Sequence, residues 1–176
     1  GGNITQQHRI CIDDIVLEEI DESELEPEVR GDNLLKNTTF SDNAQNWDIN
    51  RWNGDGKEMA TTETVNDGIV FHISDVGTAD WNIQLKQGEI NLEQGCDYRL
   101  AFKVTSTESR TIKVGFMDKN TKNWYGGSDV SLEKNKAKNV VCKFTMTNDT
   151  DAESLMLISM GKIEGEDTPV SDITLS

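Results

Sequence analysis

The stretch Tyr98-Arg-Leu-Ala-Phe-Lys-Val104 alternates apolar and polar side chains without a break, so Tyr98, Leu100, Phe102 and Val104 share one face of an extended strand. The same period of two recurs on both sides of it. Downstream, Thr111-Ile-Lys-Val-Gly-Phe-Met117 aligns Ile112, Val114 and Phe116, and Val140-Val-Cys-Lys-Phe-Thr-Met146 aligns Val140, Cys142, Phe144 and Met146. Leu155-Met-Leu-Ile-Ser-Met160 places Met156, Ile158 and Met160 together. Upstream, Gly68-Ile-Val-Phe-His-Ile73 turns Ile69, Phe71 and Ile73 inward. Clusters of Gly, Asn, Asp and Ser separate these runs, and nothing from residue 68 to residue 176 keeps a helical period. The pattern predicts an all-β chain, a β-sandwich of jelly-roll type built from two antiparallel sheets.

A chain of 176 residues is long enough for one well-packed domain with a tail. The formal net charge of −15 and the isoelectric point near 4.4 exclude nucleic acid and anionic membrane as partners, because both need a basic footprint. A neutral ligand or a cation fits that balance. No apolar run approaches the ~20 residues of a membrane span, and no charged-then-apolar leader opens the chain. The opening Gly-Gly-Asn-Ile-Thr-Gln-Gln reads as the interior of a longer protein, so the expectation is a secreted or cell-surface fragment whose export signal lies outside it. Cys11, Cys96 and Cys142 have no metal-type spacing. They allow at most one disulfide, with Cys96–Cys142 the candidate and buried free thiols the alternative.

Residues 1–20 end in Arg-Ile-Cys-Ile-Asp-Asp-Ile-Val-Leu-Glu-Glu-Ile, a strand-like run, and residues 21–32 have the acidic, aromatic-free composition of a linker. The segment 2–17 echoes 161–175: each has a Gly, a polar loop and then a strand with Asp before Ile. Residues 1–20 are therefore read as the last strand of a preceding module or as an added edge strand, with residues 33–176 forming the sandwich.

The stretch Gly77-Thr-Ala-Asp-Trp-Asn-Ile-Gln-Leu-Lys-Gln87 carries the functional reading. Ile83 and Leu85 fall on one side of a strand, while Asn82, Gln84 and Lys86 fall on the other. Trp81 stands at the entrance, after a turn-forming run. An indole beside a row of amides suits a sugar: the ring covers the apolar C–H face of a pyranose, and the amides bond its hydroxyls. The alternative is an ordinary half-buried strand whose Trp belongs to the core.

Four motifs in register resemble the family 4/9-type carbohydrate-binding modules across residues 31–176. They are Asn33-Leu-Leu-Lys-Asn-Thr-Thr-Phe40 leading to Trp47, Trp81-Asn-Ile-Gln-Leu-Lys-Gln87, Gly95-Cys-Asp-Tyr-Arg-Leu-Ala-Phe-Lys-Val104 and the closing Val170-Ser-Asp-Ile-Thr-Leu175. The resemblance implies a jelly roll with an open glycan cleft across its concave sheet and no catalytic chemistry. It also implies attachment to a secreted glycoside hydrolase, xylanases and β-glucanases foremost. Within it, Trp81 matches the ring that stacks on a sugar, and Gln84 matches the polar residue that bonds hydroxyls. The second cleft aromatic is expected in the loop after Met117, at either Trp124 or Tyr125, with the choice left open. Trp47 falls to the core, Trp52 in its polar loop is a further cleft candidate, and Ser159 is the polar residue of the Leu155–Met160 strand. The family often carries a structural calcium at positions that are Ser41 and Ser171 here. Hydroxyls replace carboxylates poorly, and strand alternation turns the adjacent Asp42 and Asp172 the other way, so no cofactor is expected.

No nucleophile elbow, phosphate loop or zinc-protease motif occurs, and abundant acids alone do not specify a glycosidase pair. His8 and His72 lie far apart in sequence, and His72 takes the parity opposite the core. The expected function is a non-catalytic module binding a β-1,4-linked plant polysaccharide, xylan favoured, linked covalently to an enzyme such as an endo-xylanase. A β-glucan or cellulose ligand is the alternative, and an adhesion-type sandwich without a glycan ligand is the third reading.

Overall fold

The computed structural model describes residues 31–176 and comprises ten strands in two five-stranded antiparallel sheets. The front sheet has the order β1-β4-β9-β6-β7, from Asp48–Asn50 (β1), Gln84–Leu92 (β4), Asp151–Ser159 (β9), Arg110–Met117 (β6) and Trp124–Leu132 (β7). The back sheet has the order β2-β3-β10-β5-β8, from Ala60–Val65 (β2), Gly68–Ile73 (β3), Asp172–Leu175 (β10), Asp97–Ser106 (β5) and Lys138–Thr145 (β8). The segment expected to form a preceding strand and linker, 1–20 and most of 21–32, lies outside the described residues.

The predicted inward rows form the shared core. Ile69 and Phe71 from β3, Leu100 and Val104 from β5, Ile112 and Val114 from β6, and Met156 and Ile158 from β9 are all buried between the sheets. Tyr98 and Phe144 stack with ring centroids 5.5 Å apart, and Phe144 meets Phe116 at 4.8 Å, which ties the two sheets together near one edge. Trp47 packs on Phe40 at 5.2 Å and donates its indole N–H to the Asn37 carbonyl, so it is a core ring as expected. The segment before β1 is pinned to the front sheet by Gln87: its amide accepts from Lys36 N and donates to Lys36 O. A bulge at Gly88-Glu89, with Glu89 at φ 58°, shifts the register so that Gln87 and Ile90 are both buried.

Two expectations need correction. Trp124 and Tyr125 open β7 rather than sitting in a loop. The candidate Cys96–Cys142 disulfide is absent, and both thiols are free. The β5–β8 register places Asp97 opposite Thr145, and the Met146 N–H bonds the Cys96 carbonyl. Cys142 is four residues further along that strand, about 13 Å away at ~3.3 Å per residue, beyond the reach of a bridge. Burial pushes the Cys142 thiol pKa up, which suppresses its thiolate.

Arg110 opens β6 with its guanidinium buried and fastens the crossing from β9 to β10. It donates to the carbonyls of Pro169, Met160 and Gly161 and to Ser171 Oγ, while its Nε has no partner. Burial lowers its pKa to about 10, so it stays charged at neutral pH. A fixed cation on Ser171 is incompatible with calcium there. Asp172 is also committed elsewhere, to His72, and Ser41 is exposed. These residues do not fit the family's metal. Among the described residues, no group of three or more His, Cys, Asp or Glu is placed to hold an ion.

Replacing the fully buried Phe71 by Ala should cost about 3–5 kcal/mol in urea unfolding, through lost burial and the cavity left behind. On the outer face of the back sheet, His72 sits between Asp172 at 3.0 Å and Glu63 at 3.4 Å, with Thr61 its neighbour on β2. The Asp172 hydrogen bond, with Glu63 adding to it, raises the pKa above 6.5. That contribution to stability is complete below about pH 6.5 and is lost as pH rises through the higher folded value. The melting-temperature gap between wild type and His72→Gln should therefore shrink from pH 6 to pH 8. An unchanging gap would contradict this.

Candidate functional site: the outer face of the front sheet

Strand alternation that buries Ile112, Val114, Leu85 and Ile158 sends their neighbours to the opposite face of the front sheet. The hydrogen-bond register sorts those neighbours into rows. One row crosses the sheet as Asn50, Gln84, Ser159, Lys113 and Asp129, and the next runs Asp48, Lys86, Leu157, Gly115 and Gly127. Gln84 donates from its amide to Ser159 Oγ at 2.8 Å, so the two expected polar residues are side by side. Lys86 is half-buried and paired with Asp48 at 3.0 Å, and Lys113 reaches Asp80 at 3.7 Å. Lys86 is the cross-strand neighbour of Leu157 and Lys113 that of Ser159, and both Leu157 and Ser159 are buried although they take the outward parity.

Aromatic rings stand around this polar floor. Trp81 lies at its rim in a single turn of 3-10 helix, Asp80–Asn82, and is 56% exposed. Its carbonyl accepts from the Asn50 amide at 2.8 Å, and its neighbour Asp80 is the partner of Lys113. Trp52, 44% exposed, lies two residues beyond β1 in an isolated bridge with Glu58, and the Arg51 guanidinium is 5.8 Å from its ring centroid. Trp124 is 49% exposed and lies over Gly115 and Gly127 on the same outer face. Large rings are usually buried, yet three of the chain's four indoles are exposed and do not belong to the core.

Tyr125 points the other way. A register shift between Phe116 and Met117 inserts it as an extra residue, and it packs on the core with its hydroxyl donating to Asp151 at 2.9 Å. Burial, with Asp151 adding to it, pushes its pKa up to about 12. The pair left open by the sequence thus divides: Trp124 stands on the outer face and Tyr125 packs inward and braces the strand.

Asn82 does not share the face of Gln84, as alternation predicts. The strand starts only at Gln84, and Asn82 closes the preceding turn. It is buried, and its Oδ1 accepts the backbone N–H groups of Thr78 and Ala79, each at 2.9 Å. It shapes the loop that carries Trp81 and has no oxygen free for a sugar. Lys113, Asp80 and Asn50 belong to the face and were not singled out from the sequence. Lys113 could have been found, because it lies between Ile112 and Val114 in a strand whose parity was already assigned.

The surface is open. Among the described residues, a half-open void of about 250 Å³ lies instead between the sheets, lined by Leu35, Phe40, Trp47, Leu85, Phe102 and Leu175. That void is lined mainly by aliphatic and aromatic side chains, with Thr38 and Ser176 its polar members, whereas an open strip of rings and amides lets a polymer enter and leave at both ends.

The chain's fold is shared with solved carbohydrate-binding structures. A family 4 carbohydrate-binding module is 23% identical, with a TM-score of 0.64 over 80% of this chain and 94% of the other. The N-terminal cellulose-binding domain of β-1,4-glucanase C from Cellulomonas fimi is 16% identical, with a TM-score of 0.57 over 78% and 88%. The ligand-free first carbohydrate-binding module of BiXyn10A is 15% identical, with a TM-score of 0.54 over 73% and 84%. No functionally curated protein matches the chain.

Asn82→Ala should destabilise the fold by about 1–3 kcal/mol in chemical denaturation, because two loop N–H groups lose their acceptor. A variant of wild-type stability would show that the loop does not depend on this side chain. Residues 32–168 match the carbohydrate-binding domain family 4/9, and the chain belongs to that family of non-catalytic binding modules.

Proposed function

We propose that the outer face of the front sheet is the glycan-binding surface and that its ligand is an extended β-1,4-linked plant polysaccharide, xylan first. The observation that carries this reading is the exposure of the Trp81 and Trp124 indoles at the rim and on the face that holds the Gln84–Ser159 pair, with Trp52 a third exposed indole. Flat rings suit the C–H faces of successive pyranoses, and the half-buried Gln84, held in place by the buried Ser159 beneath it, suits their equatorial hydroxyls. Lys86 contributes chiefly its stem, since its charge is matched by Asp48. Tyr125 and Asn82 act behind the surface, holding the strand and the loop. A xylose unit has no hydroxymethyl arm and so lies flat on a ring from either side, which favours xylan. The likeness in fold to a cellulose-binding domain of a β-1,4-glucanase makes β-glucan the second candidate.

On this reading residues 33–176 are the module of a longer, exported protein, and they hold a covalently attached glycoside hydrolase, such as an endo-xylanase, on its substrate. Affinity should be modest, because an open surface must offset the ordering of a flexible, hydrated chain.

The test is affinity electrophoresis in soluble xylan and mixed-linkage glucan, with pull-down on insoluble cellulose. Trp81→Ala should weaken xylan retention roughly tenfold or more while the fold stays intact, as for an aromatic hot spot. Undiminished retention would remove Trp81 as a stacking platform, and retention on cellulose alone would replace xylan by glucan.

A further inference from the structure

We propose that Gly115 and Gly127 are positioning residues that bed the ring of Trp124 flat on the front sheet; this deepens the reading of that face as a glycan surface and rests on it. Gly115 on β6 and Gly127 on β7 are direct cross-strand partners, and both take the outward parity. A methyl group on either would come far closer than 3.0 Å to Trp124 Cζ2, and at Gly115 also to Cη2. The benzo half of the indole therefore rests on bare peptide. With 49% of the residue exposed, the ring meets the glycine backbone with these atoms and solvent with much of the rest.

The neighbouring glycine shows how specific this bed is. Gly126 faces the core, where a methyl group would stand 2.6 Å from Phe144 Cγ, so the Gly126-Gly127 pair makes room on both sides of β7. The register shift that inserts Tyr125, anchored on Asp151, determines that Trp124 falls on the outer side. Along the strands, Lys113 and Asp129 flank the glycine pair on one side and Met117 on the other. An exposed Trp on a loop would have to be ordered by each ligand it meets; a ring already laid down does not carry that cost.

The test has two arms. In the NMR spectrum of the intact protein, the α-protons of Gly115 and Gly127 should lie well upfield of ordinary glycine values, because they sit beneath an aromatic ring. The shift should vanish in Trp124→Ala. In xylan affinity electrophoresis, Gly115→Ala should lose retention roughly tenfold, as Trp124→Ala does, and should add nothing in the Trp124→Ala background. Gly115→Ala also crowds the Gly126 carbonyl at 2.6 Å, so Trp124→Phe serves as a second variant: it keeps an aromatic but lacks the atoms that touch the glycines. It should lose most of the retention.

Ordinary glycine shifts in the wild type, or full retention by a folded Gly115→Ala or by Trp124→Phe, would overturn the proposal. If wild type ignores both xylan and glucan, the glycan reading fails by itself, and the proton shifts still decide whether the ring is bedded.

Discussion

The register of β9 against β4 and β6 is the constraint on which core and surface both depend. Side chains along a strand alternate strictly, so the pairing that sends Met156 and Ile158 into the core also sends Leu157 and Ser159 to the opposite face. Gln84 and Lys113 are aligned with Ser159 by that same pairing. A slip of one residue would bring polar groups inside and strip the face of its row. The apolar core therefore fixes the polar surface without any interaction dedicated to doing so, and the burial of Met156, Ile112 and Leu85 enforces it.

The surface derives little from its charges. Lys86–Asp48 and Lys113–Asp80 are partly exposed pairs, and such pairs contribute little net free energy. Their service is geometric: each pair fixes the direction of a lysine that neighbours Leu157 or Ser159 across the strands. Buried polar groups do comparable work from behind. Gln87 ties down the segment before β1, Asn82 shapes the Trp81 turn, and Arg110 holds the crossing into β10 with four acceptors. Each is buried and bonded to backbone, so each fixes a loop that carries or supports the rings.

Strands β3, β5, β6, β8 and β9 were legible because a half-buried strand writes its period directly into the sequence. The hidden ones lack that signature for identifiable reasons. β2 reads Ala-Thr-Thr-Glu-Thr-Val at a sheet edge, with most of its side chains in water, and β7 opens with an indole, a phenol and two glycines. Asn82 was misplaced because alternation was extended into residues that form a helical turn. Trp124 and Tyr125 could not be separated because an inserted residue reverses parity, and nothing local marks the insertion. Trp81 and Gln84 were read from the resemblance and from an indole next to amides. The bed beneath Trp124 was out of reach, since it requires two glycines from different strands to be brought together.

The position of β10 bears on how the protein is made. This strand, Asp172–Leu175, lies in the middle of the back sheet, hydrogen-bonded to β3 on one side and β5 on the other. A ribosome delivers the β2–β3 hairpin and the β5 strand long before it delivers residue 172. Until then the two halves of that sheet have raw, mutually unpaired borders. The growing polypeptide must therefore keep those borders from foreign strands while it waits for its keystone, and the acidic character of the chain, by mutual repulsion between copies, suits it to that wait.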